Sequence, residues 1–281
     1  MCEFCTQHGE GKKWYLRARN YSEDLISDLG RRKMIKGFFS SPETIAQSAQ
    51  ALVKLDQAPG FVQRVLRWRM TNKMKKLHFG QVVPIEEVEQ ILNFVTSVTR
   101  LPCICRKSLT GSEHRYCYAV SMGADGGQML GLLKEIDAGY LTGPDGTGLE
   151  TLTREEALKA MREHEKEGLC HTVWTFVTPF IGGICNCDRS DCLAMRATVT
   201  KSLPVMFRGE YVAEVSVEAC DGCRTCMRSC QFGALGFSAG RKKIFIEAGQ
   251  CYGCGVCRVA CSKKAISLTP RVQHPVAAKF W

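Results

Sequence analysis

The stretch CDGCRTCMRSCQFGAL at residues 220–235 is followed by a second, similar stretch, CYGCGVCRVACSKKAI at residues 251–266. Each contains the pattern C-x-x-C-x-x-C-x-x-x-C. Each is also preceded by a segment of alternating polarity (AEVSVE and KIFIE) and followed by a short apolar one (GFS and ISL). Because alternation of period two is typical of strands, the repeat predicts two β-α-β units related by an approximate twofold axis.

Each repeat carries the cysteine spacing of an iron–sulfur cube. The first three cysteines can wrap three corners, and the fourth ligates the cluster of the other repeat. Two structural zinc sites are a weaker interpretation, since zinc motifs do not interleave in this way. One predicted [4Fe-4S] cluster therefore takes Cys220, Cys223, Cys226 and Cys261, and the other takes Cys251, Cys254, Cys257 and Cys230.

With all eight ligands in place, this segment resembles the bacterial two-[4Fe-4S] ferredoxins over its whole length. The resemblance implies a ferredoxin fold and one-electron transfer. Gln231 and Ser262 depart from it, because such ferredoxins usually have proline after the fourth cysteine. The segment is also basic, with nine Lys and Arg against four acidic residues between 212 and 271. Nearby cations favour the reduced clusters and an acidic docking partner.

The middle of the chain holds a less regular set of cysteines. In the stretch GGICNCDRSDC at 182–192, an extended backbone would point Cys185 and Cys187 to the same side. Cys192 could add a third ligand, and the stretch LPCICR at 101–106 a fourth. The sequence thus predicts a third iron–sulfur cluster, with a structural zinc or unliganded thiols as alternatives. Its candidate ligands are Cys103, Cys105, Cys117, Cys185, Cys187 and Cys192.

The order of LPCICR, REEALKAMREHEKEGLCHTVW and ICNCD resembles longer ferredoxin-like proteins of anaerobic microbes, in which a cysteine-rich domain precedes the two-cluster domain. This resemblance covers roughly residues 100–270 and implies electron transfer. Members often have further cysteines after I-C-N-C, where this chain has Asp188 and Asp191. The two aspartates would mark either lost ligands or an iron left partly open.

The chain begins with Cys2, Cys5 and His8, a C-x-x-C-x-x-H triplet that differs from the haem-attachment spacing. It could hold an additional metal with a further ligand from elsewhere, such as Cys117 or Cys170. The alternative is a frayed terminus with incidental thiols.

Composition limits the class of protein. Seventeen cysteines in 281 residues, with no apolar leader at the start, favour metal ligands in a reducing, cytoplasmic setting over a secreted disulfide scaffold. The most apolar stretch, 173–184, is too short to span a membrane. The formal charge of +10 falls to about +6 once two cubes with their thiolates are counted. The remainder favours an acidic protein partner over nucleic acid.

Local patterns predict an α+β fold with a helical region at 1–100, a cysteine-rich domain at 101–211 and the two-cluster domain at 212–281. Expected helices cover 22–39, 41–56, 61–78, 84–98 and, from a capping box at Thr153, about 154–167. LPCICR is predicted to form an extended turn. Residues 116–122 are predicted as a short strand, and residues 173–180 as a buried strand.

The function that these features favour is electron transfer, as a non-catalytic subunit that serves a flavin- or molybdenum/tungsten-containing oxidoreductase in anaerobic metabolism. Two alternatives remain. One is an iron–sulfur enzyme whose middle cluster is accessible to substrate. The other is a redox-sensing regulator that binds nucleic acid through the basic helices of residues 61–98.

Overall fold

The computed structural model describes residues 13–143 and 148–280. The α+β class is confirmed. Within the described residues, no helix is long and apolar enough to cross a membrane. The candidate ligands Cys2 and Cys5, with His8, lie outside the described residues.

In the described part of the chain, the largest element is a seven-stranded sheet of order β4-β2-β3-β6-β5-β1-β7. Neighbouring strands are antiparallel except β1 and β7, which are parallel. The strands are β1 Gly80–Val82, β2 Ser97–Leu101, β3 Cys117–Ser121, β4 Glu150–Leu152, β5 Cys170–Thr175, β6 Ile181–Cys187 and β7 Met206–Phe207.

Helices cover both faces of this sheet. They are α1 Glu23–Ile26, α2 Leu29–Ser40, α3 Pro42–Asp56, α4 Gly60–Leu77, α5 Ile85–Phe94, α6 Ile104–Thr110, α7 Gly127–Lys134, α8 Gly139–Thr142, α9 Arg154–Lys166 and α10 Leu193–Thr200. Of these, α1 to α4 precede the sheet in the chain and α5 to α10 connect its strands. Short 3-10 turns lie at Trp14–Leu16, Ala18–Tyr21 and Ala124–Gly126.

The two faces of the sheet have different chemistry. One face packs on α5 and α9 through a core that includes Val88, Met161 and Val173. Strand pairing sets Cys117 opposite Cys185 and Cys170 opposite Cys187. Since directly opposed residues point the same way, and so do alternate residues on one strand, these four cysteines share the other face.

Several expected elements are confirmed, and others need correction. Helices α3 and α4 match their predictions, and the capping box of α9 is formed by Thr153 and Glu156. The helix expected at 22–39 is broken, because the Asp28 side chain accepts a hydrogen bond from Arg31 N and starts a new helix. LPCICR is a strand end followed by α6, with Cys103 at the N-cap.

The helix expected at 84–98 ends at Phe94, and β2 follows it from Ser97. The expected strand at 173–180 is instead the end of β5 and a turn at the cis Thr178–Pro179 bond. Because β1 and β2 belong to the same sheet as β3 to β7, residues on both sides of position 100 share one sheet and one core.

The C-terminal part contains the predicted pair of β-α-β units. Strand β8 pairs with β11, and β9 pairs with β10, both antiparallel. This interlocked pairing gives the twofold arrangement expected from the sequence repeat. The elements are β8 Tyr211–Val215, α11 Thr225–Ser229, β9 Leu235–Ser238, β10 Lys243–Ile246, α12 Val256–Val259 and β11 Ile266–Pro270, followed by 3-10 turns at Arg271–Gln273 and Ala277–Lys279.

Candidate iron–sulfur centres

Equivalent glycines shape the two C-terminal cysteine loops. Gly222 and Gly253 have φ of +74° and +73°, in the left-handed region that favours glycine. A Cβ on Gly222 would lie 2.2 Å from Lys242 O, and one on Gly253 would lie 2.1 Å from Tyr211 O. Each loop therefore lies directly on the backbone at the start of the strand that opens the other repeat, β10 for Gly222 and β8 for Gly253, at matching places in the two repeats.

Backbone N–H groups point at the cysteine sulfurs in the same matching way. Ala234 N donates to Cys230 Sγ and Ala265 N to Cys261 Sγ, each at 3.3 Å. Ala213 N donates to Cys251 Sγ at 3.4 Å. Such bonds stabilise thiolate charge, which cluster ligands carry. The donor set and the loops thus fit two [4Fe-4S] groups, which would supply one-electron redox chemistry.

The two sets of four cysteines differ in exposure. In the first set, Cys223 is exposed. In the second, Cys251, Cys254 and Cys257 are all buried, and Cys254 packs in the core of the large sheet. The first site therefore faces solvent, and the second faces the rest of the molecule.

Basic residues lie close to the exposed site. Lys243 Nζ donates to Cys220 O, and the Arg224 guanidinium lies 3.8 Å from the centre of the Phe237 ring. Arg271, also basic, is instead fully buried and donates to the carbonyls of Tyr211 and Cys251, each at 2.8 Å. Arg271 therefore has a structural role, and the cations close to the exposed site are the outer ones.

All six candidate ligands of the middle domain converge on one cavity. Cys117, Cys185 and Cys187 reach it from the sheet. The other three come from the starts of two helices, where Cys103 and Cys192 occupy the N-caps of α6 and α10 and Cys105 lies in the first turn of α6. The site predicted from two separate stretches is thus brought together by the sheet and two helix N-termini.

The six thiols contact one another in a chain. Cys185 Sγ lies 3.4 Å from Cys117 Sγ, and Cys103 hydrogen-bonds with Cys117 and Cys105. Cys192 hydrogen-bonds with Cys105 and Cys187.

These hydrogen bonds, together with burial, raise the pKa of Cys105, Cys117 and Cys187 well above its ordinary range. Bonds accepted from their neighbours lower the pKa of Cys103 and Cys192. So many close, buried thiols cannot all ionise unless a metal centre compensates their charge. Among the described residues, no three His, Cys, Asp or Glu side chains converge as a ligand set for a single metal ion.

Arg106 accounts for the two aspartates that follow I-C-N-C. Its guanidinium is buried, forms an ion pair with Asp188 and donates to Asn186 O at 3.2 Å. It also lies 3.9 Å from Cys103 Sγ, while Asp191 is 4.0 Å from its Nε. Asp188 therefore holds a cation beside the six thiols.

Cys170 and Gln231 are among the side chains that join the two parts of the molecule. Cys170 packs in one buried cluster with Cys254, one of the eight ferredoxin cysteines, its S–H donates to His171 O at 3.6 Å, and on β5 it stands opposite Cys187. Gln231 donates to Gly168 O at 2.8 Å and accepts from Arg189 N at 2.9 Å. Sequence reasoning placed neither at a junction. In the sequence, Gln231 stood out because it occupies the position where such ferredoxins usually have proline.

The comparison with protein families agrees with this geometry. Residues 219–266 match the family model described as 4Fe-4S dicluster domain. This match supports a C-terminal ferredoxin-type domain that carries iron–sulfur clusters, and with them an electron-transfer role. No curated protein matches the chain significantly.

Proposed function

We propose that the protein transfers single electrons along three iron–sulfur centres: the exposed cluster, the buried cluster and a third centre in the six-cysteine cavity. The observation that carries the proposal is the position of Cys170. Cys170 packs in one buried cluster with Cys254 of the buried site, and its strand partner is Cys187 of the third. Apart from holding the centres close together, the protein excludes water from the two inner ones and tunes them by charge and hydrogen bonds.

The partner proposed for the exposed cluster is an acidic surface of another oxidoreductase subunit, flavin- or molybdenum/tungsten-containing, in anaerobic metabolism. Cys223 is exposed there, and Arg224 and Lys243 lie beside it. Charge complementarity of this kind speeds association at low salt. The rate of cluster reduction by such a partner should therefore fall as ionic strength rises.

The first test is the iron and sulfide content of anaerobically purified protein, with electron paramagnetic resonance of the reduced state. Three cubes require about twelve irons per chain, and the dicluster domain alone about eight. Cys187→Ser should lose iron and the signal of the third centre. Its strand partner supplies the matched control: Cys170→Ser should keep both. A content near eight irons in the unsubstituted protein would contradict the third centre.

A further inference from the structure

The cavity that the six cysteines line is far larger than the one at the buried dicluster site. Its volume is about 250 Å³. The cavity at the buried dicluster site, lined by Cys230, Cys251, Cys254 and Cys257, is about 20 Å³ by the same measure. Since that smaller space accompanies a four-cysteine site, the larger one has room beyond what such a site encloses.

The rest of the lining is apolar and aromatic. Phe38, Phe39, Trp174 and Phe176 line it, and the described residues that line it include no Asp, Glu, Lys or Arg. The Arg106 guanidinium lies behind Cys103 and is paired with Asp188. A charged ligand would lose its hydration there without compensation, whereas an uncharged aromatic one would bury its surface favourably. The lining thus selects for small, uncharged, aromatic molecules.

His78 supplies a polar group in this lining. Its ring lies 4.8 Å from each of the Trp174 and Phe176 rings, measured between centroids. Nδ1 lies 2.6 Å from Thr175 O. Because a carbonyl oxygen only accepts, Nδ1 donates, and Nε2 keeps its lone pair. A ligand with one hydroxyl or N–H group can donate to it.

Helix α4 forms a thin wall of the cavity. Met70 and Met74 line the inside, yet no described residue of this helix is fully buried, and Phe61 and Trp68 on it are 71% and 65% exposed. A wall one helix thick with flexible methionines on its inner side can open locally to admit a ligand.

We propose that the cavity is a binding chamber for a small, uncharged aromatic molecule with a single hydrogen-bond donor, held beside the third centre. This inference rests on the proposed function for the centre itself. The ligand would lie between the six thiols and the aromatic rings, where the third centre is its nearest redox partner.

The test uses anaerobically purified full-length protein and p-cresol as the probe, with 4-methylbenzoate as a charged control of similar shape. Isothermal titration calorimetry measures binding, and electron paramagnetic resonance shows whether the signal of the third centre changes. Met74→Trp fills the chamber and should weaken p-cresol binding at least about tenfold. Leu66→Trp, on the same helix with a 38% exposed side chain, should bind like the unsubstituted protein.

Iron content is measured on every sample, and it separates the two ideas. Twelve irons without p-cresol binding, or equal binding by the Met74→Trp and Leu66→Trp proteins, would overturn the chamber alone. Equal binding of 4-methylbenzoate would overturn the selection for uncharged ligands. Eight irons with normal p-cresol binding would overturn the third centre and leave an apolar chamber without a redox neighbour.

Discussion

Cys170 of the central sheet and Cys254, a predicted ligand of the dicluster domain, lie side by side in one buried cluster. Burial and the neighbouring Cys254 raise the pKa of Cys170 well above its ordinary range, so Cys170 remains a neutral thiol, and its S–H donates to His171 O at 3.6 Å. A neutral thiol that can turn its S–H toward a cluster thiolate would stabilise the more negative, reduced form and raise the potential of the cluster.

Cys170→Ala should therefore lower the potential of the buried cluster by roughly tens of millivolts, because the S–H beside Cys254 is lost. Cys170→Ser keeps a donor and should restore part of the shift. Redox titration followed by electron paramagnetic resonance measures both, and the exposed cluster serves as an internal reference. An unchanged potential in the alanine variant would show that this thiol does not tune the cluster.

The Arg106–Asp188 pair should contribute strongly to stability, since both partners are largely buried. Arg106→Gln leaves Asp188 unpaired and should cost about 3 kcal/mol in the free energy of unfolding, with loss of iron from the third centre. The control is the more exposed ion pair between Lys107 of α6 and Glu113, whose charged atoms lie 2.7 Å apart. Lys107→Gln should cost less than about 1 kcal/mol. An equal loss in the free energy of unfolding for the two variants would show that the buried Arg106–Asp188 pair stabilises the protein no more than the exposed pair does.

Gln231 should hold the dicluster domain against the sheet. Gln231→Pro restores the residue usual in ferredoxins but removes two hydrogen bonds, at a cost of about 1 kcal/mol each. The junction should then be cleaved faster in limited proteolysis. Ser262 occupies the equivalent position of the second repeat and is exposed, so Ser262→Pro should leave the cleavage rate unchanged. Faster cleavage in both variants would show that proline in the turn, and not loss of the Gln231 hydrogen bonds, causes the effect.

His171 should make stability depend on pH. It is fully buried, and burial lowers its pKa to about 4, against the hydrogen bond with Asn186, which raises it. The unfolded histidine titrates near its ordinary value, about 6.5. Between about pH 6.5 and 4, His171 therefore binds a proton in the unfolded chain but not in the folded one. The free energy of unfolding consequently falls as pH falls. Above pH 6.5 this contribution is constant.

His171→Asn cannot ionise and should remove up to about 3 kcal/mol of that pH dependence. The measurement is denaturant unfolding at several pH values between 4 and 7.5. His114→Asn is the control, because His114 is exposed. Identical pH profiles for the His171→Asn and unsubstituted proteins would rule out the buried titration.

Local sequence was sufficient where the chemistry is local. The eight cysteines at 220–261 lie in two contiguous repeats, and their spacing with the alternating flanks predicted the β-α-β pair; residues 219–266 match the 4Fe-4S dicluster model. Helices with clear caps, such as α9 at Thr153, were also predictable. The helix expected to reach residue 98 was wrong at its end, because a strand that pairs with distant β3 and β4 replaces its last turn.

The middle site shows the opposite case. The sequence identified its six candidate cysteines, but only the tertiary structure brings Cys117 against Cys185 across 68 positions of the chain. Likewise, Asp188 was ambiguous until Arg106, 82 positions away, was found beside it. The cysteine repeats determine the dicluster domain because its strand pairs and predicted cluster ligands all lie within one contiguous segment, residues 211–270. The six-cysteine cavity, and the position of Cys170 beside Cys254, depend on strand register and helix packing, which form only between distant segments once the core is assembled.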